Sequence, residues 1–157
     1  ILLLFGGGLS LAEGFTSSGL AIWFGSQMTL LAGVQILVLL FVLVAAVNFL
    51  TEVTSNLATT AMLLPILAPM ALSIGVHPYL LLVPATLAAS CAFMLPVATP
   101  PNAVVFGSGY LRIPDMVRTG LILNLLSIVI VSLLVYFLLP MIWGFEPTPF
   151  PTGLGIE

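Results

Sequence analysis

Two short stretches of this 157-residue chain carry side chains whose types and spacing suit them to chemistry. The first is residues 51–60, TEVTSNLATT, in which seven of ten side chains carry a hydroxyl, an amide or a carboxylate. The second is residues 94–103, MLPVATPPNA, with three prolines within six residues. Because proline lacks a backbone N–H and disfavours helix in the preceding residue, we expect this stretch to be unwound, leaving carbonyls such as that of Ala98 unpaired.

Together the two stretches have the chemistry of a site for a monovalent cation and a small anion. Backbone carbonyls and Thr, Ser and Asn oxygens are hard and neutral, which favours Na⁺ over a divalent ion that usually demands carboxylates. Helices that restart after Asn56 and after Pro101 would each direct free N–H groups at the interruption, and helix N-termini bind anions without a basic residue. Interrupted helices that meet near the bilayer midplane are typical of secondary transporters.

Three single residues also bear on function. Glu52 is the one acid expected at membrane depth, and two interpretations stay open: a functional acid, or a carboxylate bonded to backbone N–H groups at the flank of a hairpin. His77, just before Pro78, is predicted to be a surface residue in a turn rather than a ligand. Cys91 lies in an apolar run and is predicted to be a small buried hydrophobe.

The composition places the chain in lipid. Hydrophobic residues make up 61% of it and charged residues 4%, against roughly 25% charged in a typical soluble domain. Five acids against two bases give a net charge of −3. These values exclude a soluble enzyme domain, a disordered tail and a nucleic-acid-binding protein, which would need a basic face.

The elements that position the two polar stretches are apolar helices, so the predicted fold class is an all-α integral membrane protein. Residues 28–50, 79–98 and 120–143 approach the roughly 20 residues that span a bilayer, and 120–143 is the cleanest candidate. Residues 51–74 are first too polar and then too short to span, which favours a re-entrant element buried in protein. An alternative stays open, in which the polar clusters only join helices and the prolines only kink one.

The predicted organisation follows the chain from end to end. Both basic residues lie in 107–119, so this segment is predicted to be cytoplasmic, and the turn at 75–78 then faces outside. Because the chain opens inside a hydrophobic segment, we expect a piece of a longer protein. The parts are an interfacial or scaffold helix region (1–27), a transmembrane or hairpin arm plus a re-entrant hairpin with its tip at 54–56 (28–74), a broken transmembrane helix and cytoplasmic loop (75–119), a last transmembrane helix (120–143) and an extracytoplasmic tail (144–157).

At its two polar stretches the sequence resembles the divalent anion/sodium symporter family, which carries dicarboxylates, citrate or sulfate. TEVTSNLATTAMLLPI is similar to the family's second Ser-Asn-Thr hairpin, and ASCAFMLPVATPPNAVVFGSGYLRIPDMVRTG to its second broken helix with the cytoplasmic exit. The likeness covers about residues 28–143. It implies two inverted repeats, a homodimer and an elevator motion, with this chain as the second, C-terminal repeat and the N-terminal half of the same protein as its partner.

The resemblance also implies site residues by motif position. Position 57 is Leu where the family motif often has Thr, so one hydroxyl expected near the substrate is missing and the identity of the anion stays open. The implied sodium ligands are Thr51, Ser55, Asn56 and backbone oxygens around Ala98 and Pro100. The implied contacts of the substrate carboxylate are Ser55, Asn56, Thr99 and the backbone at Pro100.

The implied function is sodium-coupled symport of small dicarboxylates such as succinate, malate and fumarate, by a multi-pass protein of a bacterial inner (plasma) membrane. Na⁺ is the co-transported ion, and no bond is made or broken. Two alternatives stay open: a proton-coupled or sulfate- or citrate-type relative, with Glu52 as the proton carrier, and a non-transporting membrane scaffold. An intramembrane protease is disfavoured, because His77 lies in a turn and Asp115 is the sole aspartate.

Overall fold

The described part of the computed structural model is helical. It comprises Gln35–Phe145 together with residues 6, 10, 13, 14 and 17–19, and it contains no strand. Most of the predicted helix region 1–27, the start of the segment 28–50 and the tail beyond Phe145 lie outside the described residues. The helices are α1 (Ile36–Thr51), α2 (Asn56–Ser73), α3 (Tyr79–Ala89), α4 (Pro100–Gly107) and α5 (Ile113–Trp143).

Helix α5 is the one helix of the described part that is long and apolar enough to cross a membrane. Its 31 residues extend about 46 Å, which exceeds a hydrocarbon core of about 30 Å. It begins at Ile113, before the predicted start at residue 120, because Pro114 suits a first turn and the Asp115 carboxylate accepts the N–H of Arg112 at 3.4 Å. The predicted loop 107–119 is therefore mostly helical, and the connection is only Ser108–Arg112.

Helices α1, α3 and α5 pack against one another, and α2 packs against α3. One face of α5 is buried at three- and four-residue spacing, whereas its other face is largely exposed. That buried face includes two polar side chains, Asn124 and Ser132. Burying a polar side chain costs free energy unless it is hydrogen-bonded. The buried residues of α5 are Met116, Gly120, Asn124, Ile128, Ser132, Val135 and Leu139.

Residues 79–98, predicted to approach the length of a full span, do not form one helix. Helix α3 has only 11 residues and ends at Ala89, and helix resumes at Pro100. The non-helical segment Ser90–Thr99, called the interruption below, is longer than its prolines alone require. It begins six residues before Pro96, because the three N–H groups ahead of that proline donate to the Glu52 carboxylate rather than to a helical ladder.

The turn between α2 and α3 lies at the same end of the bundle as the C-terminus of α5. His77 stacks on Phe145 with ring centroids 4.2 Å apart and contacts Tyr79 at 4.7 Å. The prediction that His77 is a surface residue is therefore wrong, since these rings leave it only 7% exposed. Burial lowers the pKa of His77 from its ordinary value of 6.5.

Candidate ion and anion site

The tip between α1 and α2 brings neutral oxygens together. Thr51, the fully buried last residue of α1, places its Oγ1 2.8 Å from Oδ1 of Asn56 and 2.9 Å from the carbonyl of Ala89. Ser55 caps α2, because its Oγ accepts the N–H of Ala58 at 3.1 Å. Three of the predicted sodium ligands thus lie within one six-residue tip, and two of them are in direct contact.

The first turn of α2 also presents hydrogen-bond donors. The N–H groups of Asn56 and Leu57 have no acceptor within the described residues, as the first turn of a helix leads one to expect. Leu57 is 55% exposed, and its side chain lacks the hydroxyl common in the motif. An anion placed here would meet two N–H groups and the positive end of the helix dipole.

The second predicted ligand region is the interruption. The Ala98 carbonyl accepts no hydrogen bond within the described part, in agreement with the sequence prediction, while the Ala98 N–H bonds to the Leu95 carbonyl at 3.2 Å. Asn102 closes the segment, because its Nδ2 donates to the carbonyls of Ala92 and Leu95 at 3.0 and 3.1 Å. Asn102 is not among the site residues predicted from sequence, although an amide next to a proline pair is a signal that points to it.

Helix α4 does not offer the free N–H groups that the sequence predicted after Pro101. It begins two residues earlier, at Pro100, so its first two residues are prolines without an N–H. The N–H of the third residue, Asn102, is directed at the capping Thr99 Oγ1 at 3.4 Å. Helical geometry also draws the Pro100 carbonyl towards the ladder of α4, which leaves Ala98 as the better-suited carbonyl ligand.

The structure unites some of the predicted site residues and leaves others apart. Thr51 and Asn56 are in contact, and Ser55 adjoins them. Within Gln35–Phe145, no hydrogen bond joins the Ser55–Asn56 pair directly to Thr99 or Pro100. The tip and the interruption are connected instead through other residues. Thr51 Oγ1 bonds to the carbonyl of Ala89, the last residue of α3, directly before the interruption.

Glu52 makes the strongest of these connections. Its side chain is 3% exposed. Oε1 accepts the N–H groups of Phe93 and Met94 at 2.8 and 2.9 Å and the side-chain Nδ2 of Asn124 at 2.7 Å. Oε2 accepts the N–H of Leu95 at 3.0 Å. Of the two interpretations that the sequence left open, these contacts support the carboxylate bonded to backbone N–H groups.

Two further residues that the sequence analysis missed hold the interruption against its neighbours. A Cβ on Gly120 would lie 2.3 Å from the carbonyl oxygen of Phe93, so α5 and the interruption approach each other more closely than any side chain allows. Asn48 Nδ2 donates to the Cys91 carbonyl at 2.6 Å and to Ser127 Oγ at 3.2 Å. Cys91 itself is half-buried rather than fully buried as the sequence predicts.

The fold and the site define a class of protein: apolar helical proteins whose polar groups lie at helix ends and interruptions, an arrangement typical of secondary transporters. A family model described as the sodium:sulfate symporter transmembrane region matches residues 1–144. The chain therefore belongs to this family, which is the divalent anion/sodium symporter family that its motifs resemble.

Individual relatives are similar over most of the chain. It is 55% identical over 152 residues to the sodium-dependent dicarboxylate transporter SdcS of Staphylococcus saprophyticus, a match that covers 96% of the chain and 29% of the relative. It is 51% identical over 146 residues to the SdcS protein of Staphylococcus aureus, covering 93% of the chain and 28% of the relative. The chain thus spans less than a third of the length of these relatives.

Proposed function

We propose that this chain is the C-terminal repeat of a sodium-coupled symporter for small dicarboxylates such as succinate, malate and fumarate. The observation that carries the proposal is the tip, where the oxygens of Thr51 and Asn56 are 2.8 Å apart beside the unpaired N–H groups that begin α2. Oxygen ligands for a cation and N–H donors for an anion therefore lie next to each other in one short segment. The names of the SdcS relatives, which specify sodium and dicarboxylate, support both halves of this assignment.

In the proposed mechanism Na⁺ binds before the anion. Oxygens of Thr51, Ser55 and Asn56 and the backbone at Ala98 and Pro100 would surround the ion, which draws the tip towards the interruption. One carboxylate of the substrate would then rest on Ser55, Asn56 and Thr99, whereas the backbone at Pro100, which has no N–H, offers the carboxylate no donor. Because the ion neutralises part of the anion's charge in a low-dielectric site, each cargo strengthens the binding of the other. The downhill sodium gradient then drives the uptake of the anion.

The proposed setting is a multi-pass protein of a bacterial inner membrane. The segment 28–74 would form a re-entrant hairpin with its tip at Thr54–Asn56, and 75–119 a broken transmembrane helix with a cytoplasmic exit. The common location of the 75–78 turn and the end of α5 at one pole, with Arg112 at the start of α5, is consistent with that orientation. The N-terminal half of the same protein would complete the site, and two copies would form a homodimer.

The test is uptake of labelled succinate by cells or vesicles that contain the full-length protein. We expect Asn56→Ala to abolish sodium-dependent uptake, because it removes an ion ligand and a substrate contact together, while the protein still reaches the membrane. Thr86→Ala is the control, since Thr86 is exposed and bonds only within α3. Near wild-type uptake by Asn56→Ala would refute the assignment.

Sulfate is a second candidate anion, favoured by the description of the matching family model. Leu57 also removes a hydroxyl that would contact a dicarboxylate, which makes the choice of anion an experimental question. Competition separates the two: excess unlabelled succinate should suppress succinate uptake, and excess sulfate should leave it unchanged. Replacing Na⁺ with choline tests the proton-coupled alternative in the same preparation, since uptake that persists in choline at low pH would favour protons.

A further inference from the structure

We infer that Glu52 is a positioning residue for sodium: its carboxylate ties the interruption to the hairpin tip, so that the Ala98 carbonyl and the Thr51 hydroxyl can share one ion. This inference rests on the proposed function for the identity of the ion. It assigns to Glu52 the role of a hydrogen-bond acceptor that holds the interruption in place. In this role Glu52 contacts neither the sodium ion nor the substrate anion.

The first step is the position of Glu52 next to the tip. Thr51 and Glu52 are consecutive and both are buried. Thr51 Oγ1 lies 2.9 Å from the carbonyl of Ala89, the last residue of α3, and Glu52 accepts the N–H of Leu95 near the middle of the interruption. Two anchors from adjacent residues therefore fix both the distance and the direction of the interruption relative to the end of α1.

The second step carries this constraint to the ion ligand. Leu95 donates its N–H to Glu52, and its carbonyl accepts the N–H of Ala98 in a turn at 3.2 Å. The same carbonyl accepts Asn102 Nδ2 at 3.1 Å, which prevents the turn from swinging away. A displacement of Leu95 therefore displaces Ala98, and Leu95 is held at its N–H by Glu52.

The third step is the fit of a carboxylate to this place. Four N–H donors converge on the two oxygens, three from consecutive backbone groups and one from Asn124. An ionised carboxylate is acceptor-only and satisfies all four. The NH₂ of a glutamine would instead face a group that itself donates, so at least one of the four bonds would be lost.

The experiment measures succinate uptake against Na⁺ concentration in the full-length protein, normalised to protein in the membrane. Glu52→Gln should raise the half-saturating Na⁺ concentration about tenfold or more, because at least one charge-assisted bond is lost, while maximal uptake at saturating Na⁺ falls less. Asp115→Asn is the matched carboxylate-to-amide control, since Asp115 bonds only to Arg112 at the exposed start of α5. It should keep the wild-type sodium dependence.

A second variant distinguishes an effect on sodium dependence from misfolding of the Glu52→Gln protein. Asn124→Leu removes one of the four donors and keeps a similar volume, so it should shift the sodium dependence in the same direction by a smaller factor. A purely structural role would lower the amount of folded protein without moving the sodium dependence. Wild-type sodium dependence in both Glu52→Gln and Asn124→Leu would therefore overturn the inference, as would a Glu52→Gln protein that loses only a pH dependence of uptake.

A measurement that needs no transport separates this inference from the proposed function. Cys91 lies near the start of the interruption and is half-buried. The rate at which it reacts with a membrane-permeant maleimide, measured by mass spectrometry, therefore reports how firmly the interruption is held. In choline buffer, Glu52→Gln should accelerate labelling several-fold and Asp115→Asn should not. Equal rates would overturn the positioning role. Accelerated labelling in a protein that never takes up succinate would refute the proposed function alone.

Discussion

The close approach of α5 to the interruption makes Gly120→Ala the most informative structural perturbation. The added Cβ would lie 2.3 Å from the Phe93 carbonyl oxygen and 2.6 Å from Cα of Met94, whereas ordinary contacts begin at 3.4 Å. The backbone must therefore retreat by about 1 Å. That movement stretches the bonds from Glu52 to Phe93 and Met94, now 2.8 and 2.9 Å, past the range of a hydrogen bond.

The magnitude follows from these contacts. Overpacking costs about 1–3 kcal/mol where the backbone yields, and each weakened bond to a charged group adds about 1.5 kcal/mol. We expect Gly120→Ala to lower the thermal unfolding midpoint of the purified full-length protein and to raise its half-saturating Na⁺ concentration at least tenfold, which is about 1.4 kcal/mol. Gly107→Ala is the control, because a Cβ on Gly107 meets nothing within 4 Å. Indistinguishable behaviour of the two variants would refute the reasoning.

Two further predictions concern the tip and the pole of the bundle that holds His77. Thr51→Val keeps the shape of the side chain and removes its oxygen, so sodium-dependent uptake should require about tenfold more Na⁺; a wild-type requirement would exclude Thr51 as a ligand. Because burial lowers the pKa of His77, the stability that its neutral ring contributes is present above its ordinary value of 6.5 and is lost as the pH falls below it. His77→Phe should flatten that decline in thermal scans between pH 5 and 7, and an unchanged slope would contradict this account of burial.

The polar elements of the site could be predicted from the sequence, because polar residues and prolines are energetically unfavourable within apolar helices and therefore stand out in this chain. The hydroxyl and amide run at Thr51–Asn56 and the proline cluster at Pro96–Pro101 both predict interruptions in helix, and the structure has non-helical residues at both places. Family membership is confirmed by the match over residues 1–144. Helix ends were harder to predict, as the start of α5 shows, because Arg112 and Asp115 are equally typical of a loop and of a capping pair.

The contacts that position the site could not be predicted from the sequence, because the residue types of the contact partners do not indicate them. Glu52 bonds mainly to backbone N–H groups, which every residue but proline carries, so nothing in the letters at 93–95 indicates the interaction. Gly120 likewise resembles any other glycine until the distance to Phe93 is known. The start of α4 has no free N–H groups because that helix begins two residues earlier than predicted, at a pair of prolines.

If the tip and the interruption hold one sodium ion between them, bound Na⁺ should protect a thiol placed beside that ion. Val97 is 76% exposed and adjoins Ala98, so a Val97→Cys variant of the full-length protein, in a background free of other cysteines, reports access to the proposed site. We expect Na⁺, but not K⁺ or choline, to slow its reaction with maleimide, and Asn56→Ala to remove that protection. Labelling at the same rate with and without Na⁺ would contradict the claim.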